Sequence, residues 1–281
     1  MDLMPSSIAL LFPGQGSHAE GMEDPYRGHP LMERGLELLG YDPFDRLSEG
    51  TRYQQPALFL CSVAAWDAWR AEPPEDDAGE AIAAAGHSLG EYAALVAAGA
   101  LEFDDAVKLV DERADAMAQA GEQRSGGMIA FLGGESRDVR ALADRLGLVI
   151  ANDNAPGQLV LSGPVDALDA AGEAARDETG ARARRHDVTG AFHSPLIEPA
   201  ADRLRAALES TPVHPMQIPV YSNGSAAPFG DVRSELAENL LRPVRWRETL
   251  LALRAAGVER FVELGPGAVL TGLVKRTLAA A

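Results

Sequence analysis

The stretch "AAAGHSLGEYAALVAAGA", Ala83–Ala100, carries the clearest structural signal in this chain of 281 residues. Its small apolar residues predict a buried strand at Ala81–Ala85, and the alanine-rich segment after it predicts a helix at Glu91–Ala98. Between them, Ser88 lies in a Gly-x-Ser-x-Gly pattern, and the two glycines permit close approach of strand and helix. This pattern is typical of a nucleophile elbow, a sharp turn that exposes a serine at the start of a helix. The alternative is a plain strand–helix connection that merely uses Gly and Ser.

Strands and helices alternate along most of the chain, which predicts an α/β fold with a mostly parallel sheet covered on both faces. The middle of the chain follows a different order, β-α-β-β-α-β, whose last strand is predicted at Arg182–Val188. That order is the ferredoxin-like pattern and predicts a small α+β domain inserted at residues 123–188. Residues 1–122 and 189–281 then form the larger domain. We expect the active site in the cleft between the two domains.

The composition limits the classes of function. The hydrophobic fraction of 46% and the charged fraction of 24% are those of an ordinary soluble globular protein. A net charge of −17 argues against nucleic acid or an anionic membrane as a partner. The single cysteine, Cys61, excludes an intramolecular disulfide framework and fits a reducing compartment, so we predict a cytoplasmic protein. No His/Cys/Asp cluster has the spacing of metal ligands, and we expect neither a metal ion nor a bound cofactor.

Seven stretches follow one another in a specific order along the chain. They are "LFPGQGSHAEGM", "GHSLGEYAALVAAG", "LVDERADAM", "NDNAPGQLVLSG", "VTGAFHSPLIEPA", "NLLRPVRW" and "VELGPGAVLTGLVKR". In this combination they resemble the malonyl-CoA:acyl carrier protein transacylases and, more broadly, the acyltransferase domains of polyketide synthases. The likeness runs from about Ala9 to about Arg276. It implies that the larger domain is α/β-hydrolase-like.

The resemblance implies a catalytic pair. Ser88 matches the family's nucleophile and His193 matches the histidine that serves as its general base, which a serine needs because it is a poor nucleophile at its free pKa. Without the surrounding motif, a lone histidine beside Phe192 is more often a half-buried structural residue. Asn239 matches the position whose backbone carbonyl accepts the histidine N–H. It can equally be a residue at a helix C-terminus, since Pro243 follows shortly.

The resemblance also implies the groups that bind the substrate. Gln15 and Leu89 match the positions whose backbone N–H groups stabilise the tetrahedral oxyanion. Arg113 matches the arginine that pairs with the free carboxylate of malonyl, although its acidic neighbours alone favour a solvated helix residue. Phe192 matches a bulky residue that narrows the pocket in malonyl-selective members. Gln55 matches another polar position of the pocket.

The implied reaction has two half-reactions. Malonyl-CoA acylates Ser88 and coenzyme A leaves; the phosphopantetheine thiol of an acyl carrier protein, a transient partner, then attacks the malonyl-serine. Two other hypotheses remain: a serine hydrolase, including an editing hydrolase for acyl carrier protein thioesters, and a non-catalytic carrier-binding subunit. The sequence leaves open whether the product enters fatty acid synthesis, polyketide synthesis or malonate degradation. We expect a monomer.

Overall fold

The computed structural model describes residues 6–75, 79–188 and 190–281. Its larger sheet has four parallel strands in the order β7-β2-β1-β8. Their bounds are β1 Ser7–Phe12, β2 Glu80–Gly86, β7 Val220–Tyr221 and β8 Arg260–Glu263. Strand β1 is buried along nearly its whole length, as expected for a strand that is covered on both faces. The predicted α/β fold with a mostly parallel sheet is confirmed.

Helices cover both sheets. Within the described residues they are α1 Pro30–Leu39, α2 Thr51–Ala71, α3 Gly90–Ala97, α4 Phe103–Gln123, α5 Ser136–Leu146, α6 Val165–Thr179, α7 Glu198–Ser210, α8 Val232–Asn239, α9 Trp246–Ala255 and α10 Val269–Ala279. One large apolar cluster lies under α2, α3, α4 and α7, and a second lies between the parallel sheet and helices α9 and α10. The buried helices α2 and α4 run beside the turn that carries Ser88.

The smaller sheet is antiparallel and has four strands in the order β4-β5-β3-β6. Their bounds are β3 Gly127–Leu132, β4 Val149–Ala155, β5 Gln158–Gly163 and β6 Arg182–Arg185. Helices α5 and α6 cover one face of it and enclose a separate apolar core. Strand β6 ends three residues before the predicted Val188, because its pairing with β3 ends at Arg185. Residues 1–5 and Thr189, where the predicted larger domain begins and resumes, lie outside the described residues.

The smaller sheet is hydrogen-bonded to the segment between α8 and α9. The N–H of Val244 donates to the carbonyl of Ala151 on β4 at 2.8 Å, and the N–H of Asp153 donates back to the carbonyl of Val244 at 2.9 Å. The buried Asp153 carboxylate also pairs with Arg140 and Arg247. These bonds hold the end of β4 against the segment that follows α8.

The turn between β2 and α3 tolerates no side chain at its first glycine. A Cβ atom at Gly86 would lie 1.8 Å from the carbonyl carbon of Gly90, well inside van der Waals contact. Strands β1 and β2 are parallel neighbours with Phe12 opposite Gly86, so the loops that follow them leave the sheet at the same edge. A Cβ at Gly14, in the loop after β1, would lie 2.4 Å from the His87 carbonyl oxygen. The two loops are therefore in direct contact.

We expect Gly86→Ala to lower the free energy of unfolding by about 3 kcal/mol or more, because strand and helix must separate to admit the methyl group. The control is Gly272→Ala on α10, where a Cβ meets nothing within 4 Å. That variant should be stabilised by up to about 1 kcal/mol, since alanine is the better helix former. Urea unfolding followed by circular dichroism measures both. Equal stability of Gly86→Ala and the parent would contradict this account of the turn.

Candidate active site

Ser88 occupies the turn between β2 and α3 in a strained backbone conformation. Its φ is 50°, in the left-handed region that residues other than glycine rarely adopt. Its N–H donates to Oδ1 of Asn223 at 2.6 Å, and Nδ2 of Asn223 donates to the Gly86 carbonyl at 2.7 Å. Asn223 thus holds the turn on both sides of Ser88, and the hydroxyl faces His193 and Arg113.

His193 completes a serine–histidine pair. Its Nε2 lies 2.9 Å from the Ser88 Oγ, and the imidazole is buried. Its Nδ1 lies 2.8 Å from the carbonyl oxygen of Asn239 and 3.0 Å from that of Arg242. Since a carbonyl oxygen only accepts, Nδ1 carries the proton and Nε2 is free to accept the serine proton. Asn239 is also the last residue of α8. It is therefore a residue at a helix C-terminus, and its backbone carbonyl also lies within hydrogen-bond distance of the histidine.

The environment keeps the imidazole neutral. Burial, together with the positive charge of Arg113, lowers the pKa of His193 from 6.5 to about 4. A neutral histidine is the form that accepts a proton, so the base is ready at neutral pH.

Arg113 is buried beside the serine hydroxyl. Its Nη2 donates to Ser88 Oγ at 2.9 Å, and its Nη1 donates to Oε1 of Gln55. Among the described residues, no carboxylate forms an ion pair with its guanidinium within 4 Å. A buried cation usually has an anionic partner, so this arrangement leaves a place for the anion of a ligand.

The acidic neighbours of Arg113 point elsewhere. Asp111 pairs with Arg52, and both Glu112 and Asp115 pair with Arg203 at the surface of α4. Because a helix has 3.6 residues per turn, Arg113 lies instead on the inward face of the helix. Its side chain is only 3% exposed, so it is not the solvated residue that its neighbours suggest.

Gln15 and Leu89 lie in the two loops that meet at the sheet edge. The Gln15 side chain donates to Thr51 Oγ1 at 2.9 Å and to Gln54 Oε1 at 3.0 Å, which draws it towards α2. The described residues provide no hydrogen-bond partner for the backbone N–H of Leu89, which precedes helix α3. An N–H at the start of a helix can stabilise a developing oxyanion, and the adjoining loop could supply a second donor.

The remaining predicted pocket residues are buried close to this pair. Phe192 precedes His193 and is 4% exposed. Gln55 is fully buried on α2, where its Nε2 contacts the Met117 sulfur at 3.3 Å while its Oε1 accepts from Arg113. Gln55 therefore orients the guanidinium through Nη1, while Nη2 donates to Ser88.

Sequence reasoning missed three polar residues at this site. Asn223 braces the turn, and Glu91 lies buried one helical turn beyond Ser88. Asn154, on β4, brings the smaller sheet to the site: its Oδ1 lies 2.8 Å from Nε2 of His87. The sequence offered a signal, since three consecutive polar residues, Asn152-Asp153-Asn154, follow an apolar run; the structure buries all three within β4.

Within residues 6–75, 79–188 and 190–281, no helix is long and apolar enough to cross a membrane. Nor is any group of three or more His, Cys, Asp or Glu side chains within these ranges placed to hold a metal ion.

A hydrogen-bonded serine–histidine pair at a strand–helix turn of an α/β fold is the arrangement of enzymes that pass an acyl group through a serine ester. The chain belongs to the acyl transferase domain family, whose model matches residues 37–281.

Relatives within this family have specific names. The chain is 39% identical to the malonyl CoA-acyl carrier protein transacylase of Bacillus subtilis, over 96% of this chain and 90% of that protein. Its structure is similar to that of the malonyl CoA-acyl carrier protein transacylase of Coxiella burnetii, with a TM-score of 0.90, 36% identity and coverage of 99% and 92%. It is also similar to a malonyl-transacylase solved in complex with its type II polyketide synthase acyl-carrier protein, with a TM-score of 0.89, 35% identity and coverage of 98% and 94%.

The lowered pKa of His193 predicts an unusual pH profile. With phenylmethylsulfonyl fluoride, a serine reagent without an ionisable group, the modification rate should fall less than about twofold from pH 8 to pH 5.5. A histidine with the ordinary pKa of 6.5 would lose about tenfold over that range, because protonation removes the base. His193→Ala is the control and should react about 10²–10⁴ times more slowly at every pH. A tenfold loss in the parent would show that burial does not suppress the charge.

Proposed function

We propose that this chain transfers a malonyl group from malonyl-CoA to the phosphopantetheine thiol of an acyl carrier protein, through a malonyl-serine intermediate. The names of the similar proteins support this substrate and this partner. The observation that carries the proposal is the buried guanidinium of Arg113, which donates to the Ser88 hydroxyl and forms no ion pair with a carboxylate of the described residues. A buried cation at that distance from the nucleophile suits an acyl group that ends in a carboxylate.

In the first half-reaction, Nε2 of His193 takes the hydroxyl proton as Ser88 Oγ attacks the thioester carbonyl. The backbone N–H groups of Leu89 and Gln15 stabilise the oxyanion. When the intermediate collapses, the C–S bond breaks and the imidazolium returns the proton to the departing thiolate of coenzyme A. The Asn239 and Arg242 carbonyls hold the Nδ1–H through both proton transfers.

The second half-reaction is the reverse of the first with a new thiol. His193 accepts the proton of the phosphopantetheine thiol, whose sulfur attacks the serine ester. The C–O bond to Ser88 breaks, and the imidazolium returns the proton to Oγ. One base serves both half-reactions because it is neutral again at the end of each.

Arg113 selects the acyl group. A guanidinium binds a carboxylate through two parallel hydrogen bonds, which an acetyl group cannot form. Gln55 holds one side of the guanidinium while the other faces the serine ester, and the bulk of Phe192 limits the width of the pocket. The buried guanidinium also argues against the alternative of a hydrolase that removes plain acyl chains. The serine–histidine contact argues against a non-catalytic carrier-binding subunit.

The proposal extends to the finer organisation of the chain. The larger part is α/β-hydrolase-like, and residues 123–188 form a ferredoxin-like domain; the strand order β4-β5-β3-β6 and the two covering helices support this assignment. The contact between Asn154 and His87 supports an active site between the two parts. A cytoplasmic location and a monomeric state remain predictions from the sequence.

The covalent intermediate provides the direct test. Mixing the parent protein with malonyl-CoA should add one malonyl group to the intact mass, and peptide mapping should locate it on Ser88. Ser88→Ala should remain unmodified and folded, because the change removes a single oxygen atom. A malonyl adduct on Ser88→Ala would refute the assignment of the nucleophile.

Arg113→Ala tests the selection of the acyl group. Charge-assisted hydrogen bonds contribute roughly 1.5–3 kcal/mol each, so the ratio of kcat/KM for malonyl-CoA to that for acetyl-CoA should fall at least about tenfold. The ratio is the informative quantity, because Arg113 also contacts Ser88 and both substrates share that loss. Arg113→Lys, which keeps the charge without the planar fork, should give an intermediate ratio. An unchanged ratio in Arg113→Ala would favour the hydrolase alternative.

A further inference from the structure

Glu91 is a buried acid that the acyl-transfer steps do not use. It lies in the first turn of α3, three residues after Ser88, and its side chain is 2% exposed. Burial raises its pKa, whereas the donors of Asn223 and Asn239 and the charge of Arg113 oppose that rise by favouring the carboxylate. Burying a carboxyl group is costly unless hydrogen bonds compensate, so its contacts indicate what it is retained for.

The first contact leads to the nucleophile. Oε1 of Glu91 accepts the backbone N–H of Asn223 at 2.7 Å. The side chain of Asn223 in turn accepts the N–H of Ser88 and donates to the carbonyl of Gly86. The carboxyl group therefore fixes the residue that holds Ser88 in its left-handed conformation.

The second contact leads to the base. Nδ2 of Asn239 lies 2.9 Å from Oε1 and 3.2 Å from Oε2 of Glu91, and it also donates to Ser222 Oγ at 3.0 Å. The backbone carbonyl of the same Asn239 accepts the Nδ1–H of His193. Both oxygens of Glu91 thus act as acceptors, and they fix the residue that orients the imidazole.

We propose that Glu91 is a positioning residue that sets the serine and the histidine at their reacting distance. It does so through two asparagines, Asn223 on the side of the nucleophile and Asn239 on the side of the base. The two halves of the catalytic pair lie 105 positions apart in sequence, and this one carboxyl group contacts the supports of both. The inference rests on the roles of Ser88 and His193 proposed above.

Glu91→Gln tests this inference with a nearly isosteric side chain. One acceptor oxygen becomes an NH₂ group, so either two donors face each other or the Asn239 amide turns over and gives up its present bonds to Glu91 and Ser222. A displacement of about 1 Å at a reacting pair can cost about a hundredfold in rate. We therefore expect the acylation rate at saturating malonyl-CoA to fall at least about tenfold, with the concentration for half-maximal rate changed less than about twofold. The rate of Ser88 modification by phenylmethylsulfonyl fluoride should fall by the same factor.

Two further variants separate positioning from stability. Glu23→Gln makes the same chemical change at a buried acid that contacts Arg27 and lies outside these bonds, and it should leave both rates unchanged. In Glu91→Gln/Asn239→Asp, the carboxylate introduced at position 239 accepts from the amide introduced at position 91. Because donor and acceptor again match, the rates of acylation and of sulfonyl fluoride modification should return to within about threefold of the parent. Asn239→Asp alone places two acids together, and both of its rates should be lower than those of the parent.

The outcomes decide the proposal. A lower melting temperature of Glu91→Gln with unchanged rates would overturn it, as would a folded double variant that is as slow as the single one. Failure of both variants to fold would also overturn it, because the contacts would then serve stability alone. The sulfonyl fluoride needs no malonyl group, so the test holds even if the acyl group differs from the one proposed. A malonyl adduct on Ser88→Ala would instead refute the proposed function itself.

Discussion

The close approach of strand β2 and helix α3 is the constraint on which the active site depends. It forces Ser88 into the left-handed region, a conformation that costs of order 1–3 kcal/mol for a residue other than glycine. The hydrogen bonds from Asn223 to both sides of the turn offset that cost. This conformation leaves the hydroxyl accessible to side chains from two other parts of the chain, His193 and Arg113. A looser connection would leave the serine without a fixed direction.

The second determinant of the site is the burial of charge. Arg113 and Glu91 are both withdrawn from water, and His193 is buried beside them. In such surroundings each group strongly affects the others: the guanidinium charge lowers the pKa of His193 and keeps the base neutral. A carboxylate bound by Arg113 would reduce that effect and make the imidazole a stronger base. Binding of an acidic acyl group would thus improve the base at the moment it is needed.

The fold class and the elbow were predictable from the sequence because both rest on local signals. Apolar runs and turn residues act over a few neighbouring positions, and the alternation of strands and helices follows from them. The end of β6 was less predictable. Its pairing partner lies on β3, more than 40 positions away. The strand ends at Arg185 because the pairing with β3 ends there.

Local sequence patterns were sufficient to predict the strand–serine–helix unit and the types of residue available to the site. Which of these residues meet depends on the packing of elements that are distant along the chain. Arg113 follows two acidic residues in sequence and still faces the interior, because the packing of α4 against α2 and α7 assigns its faces. Glu91 and Asn239 lie 148 positions apart and yet share hydrogen bonds in the core. The physical reason is that hydrogen bonds and charge interactions depend on distance in space, whereas sequence patterns record only distance along the chain.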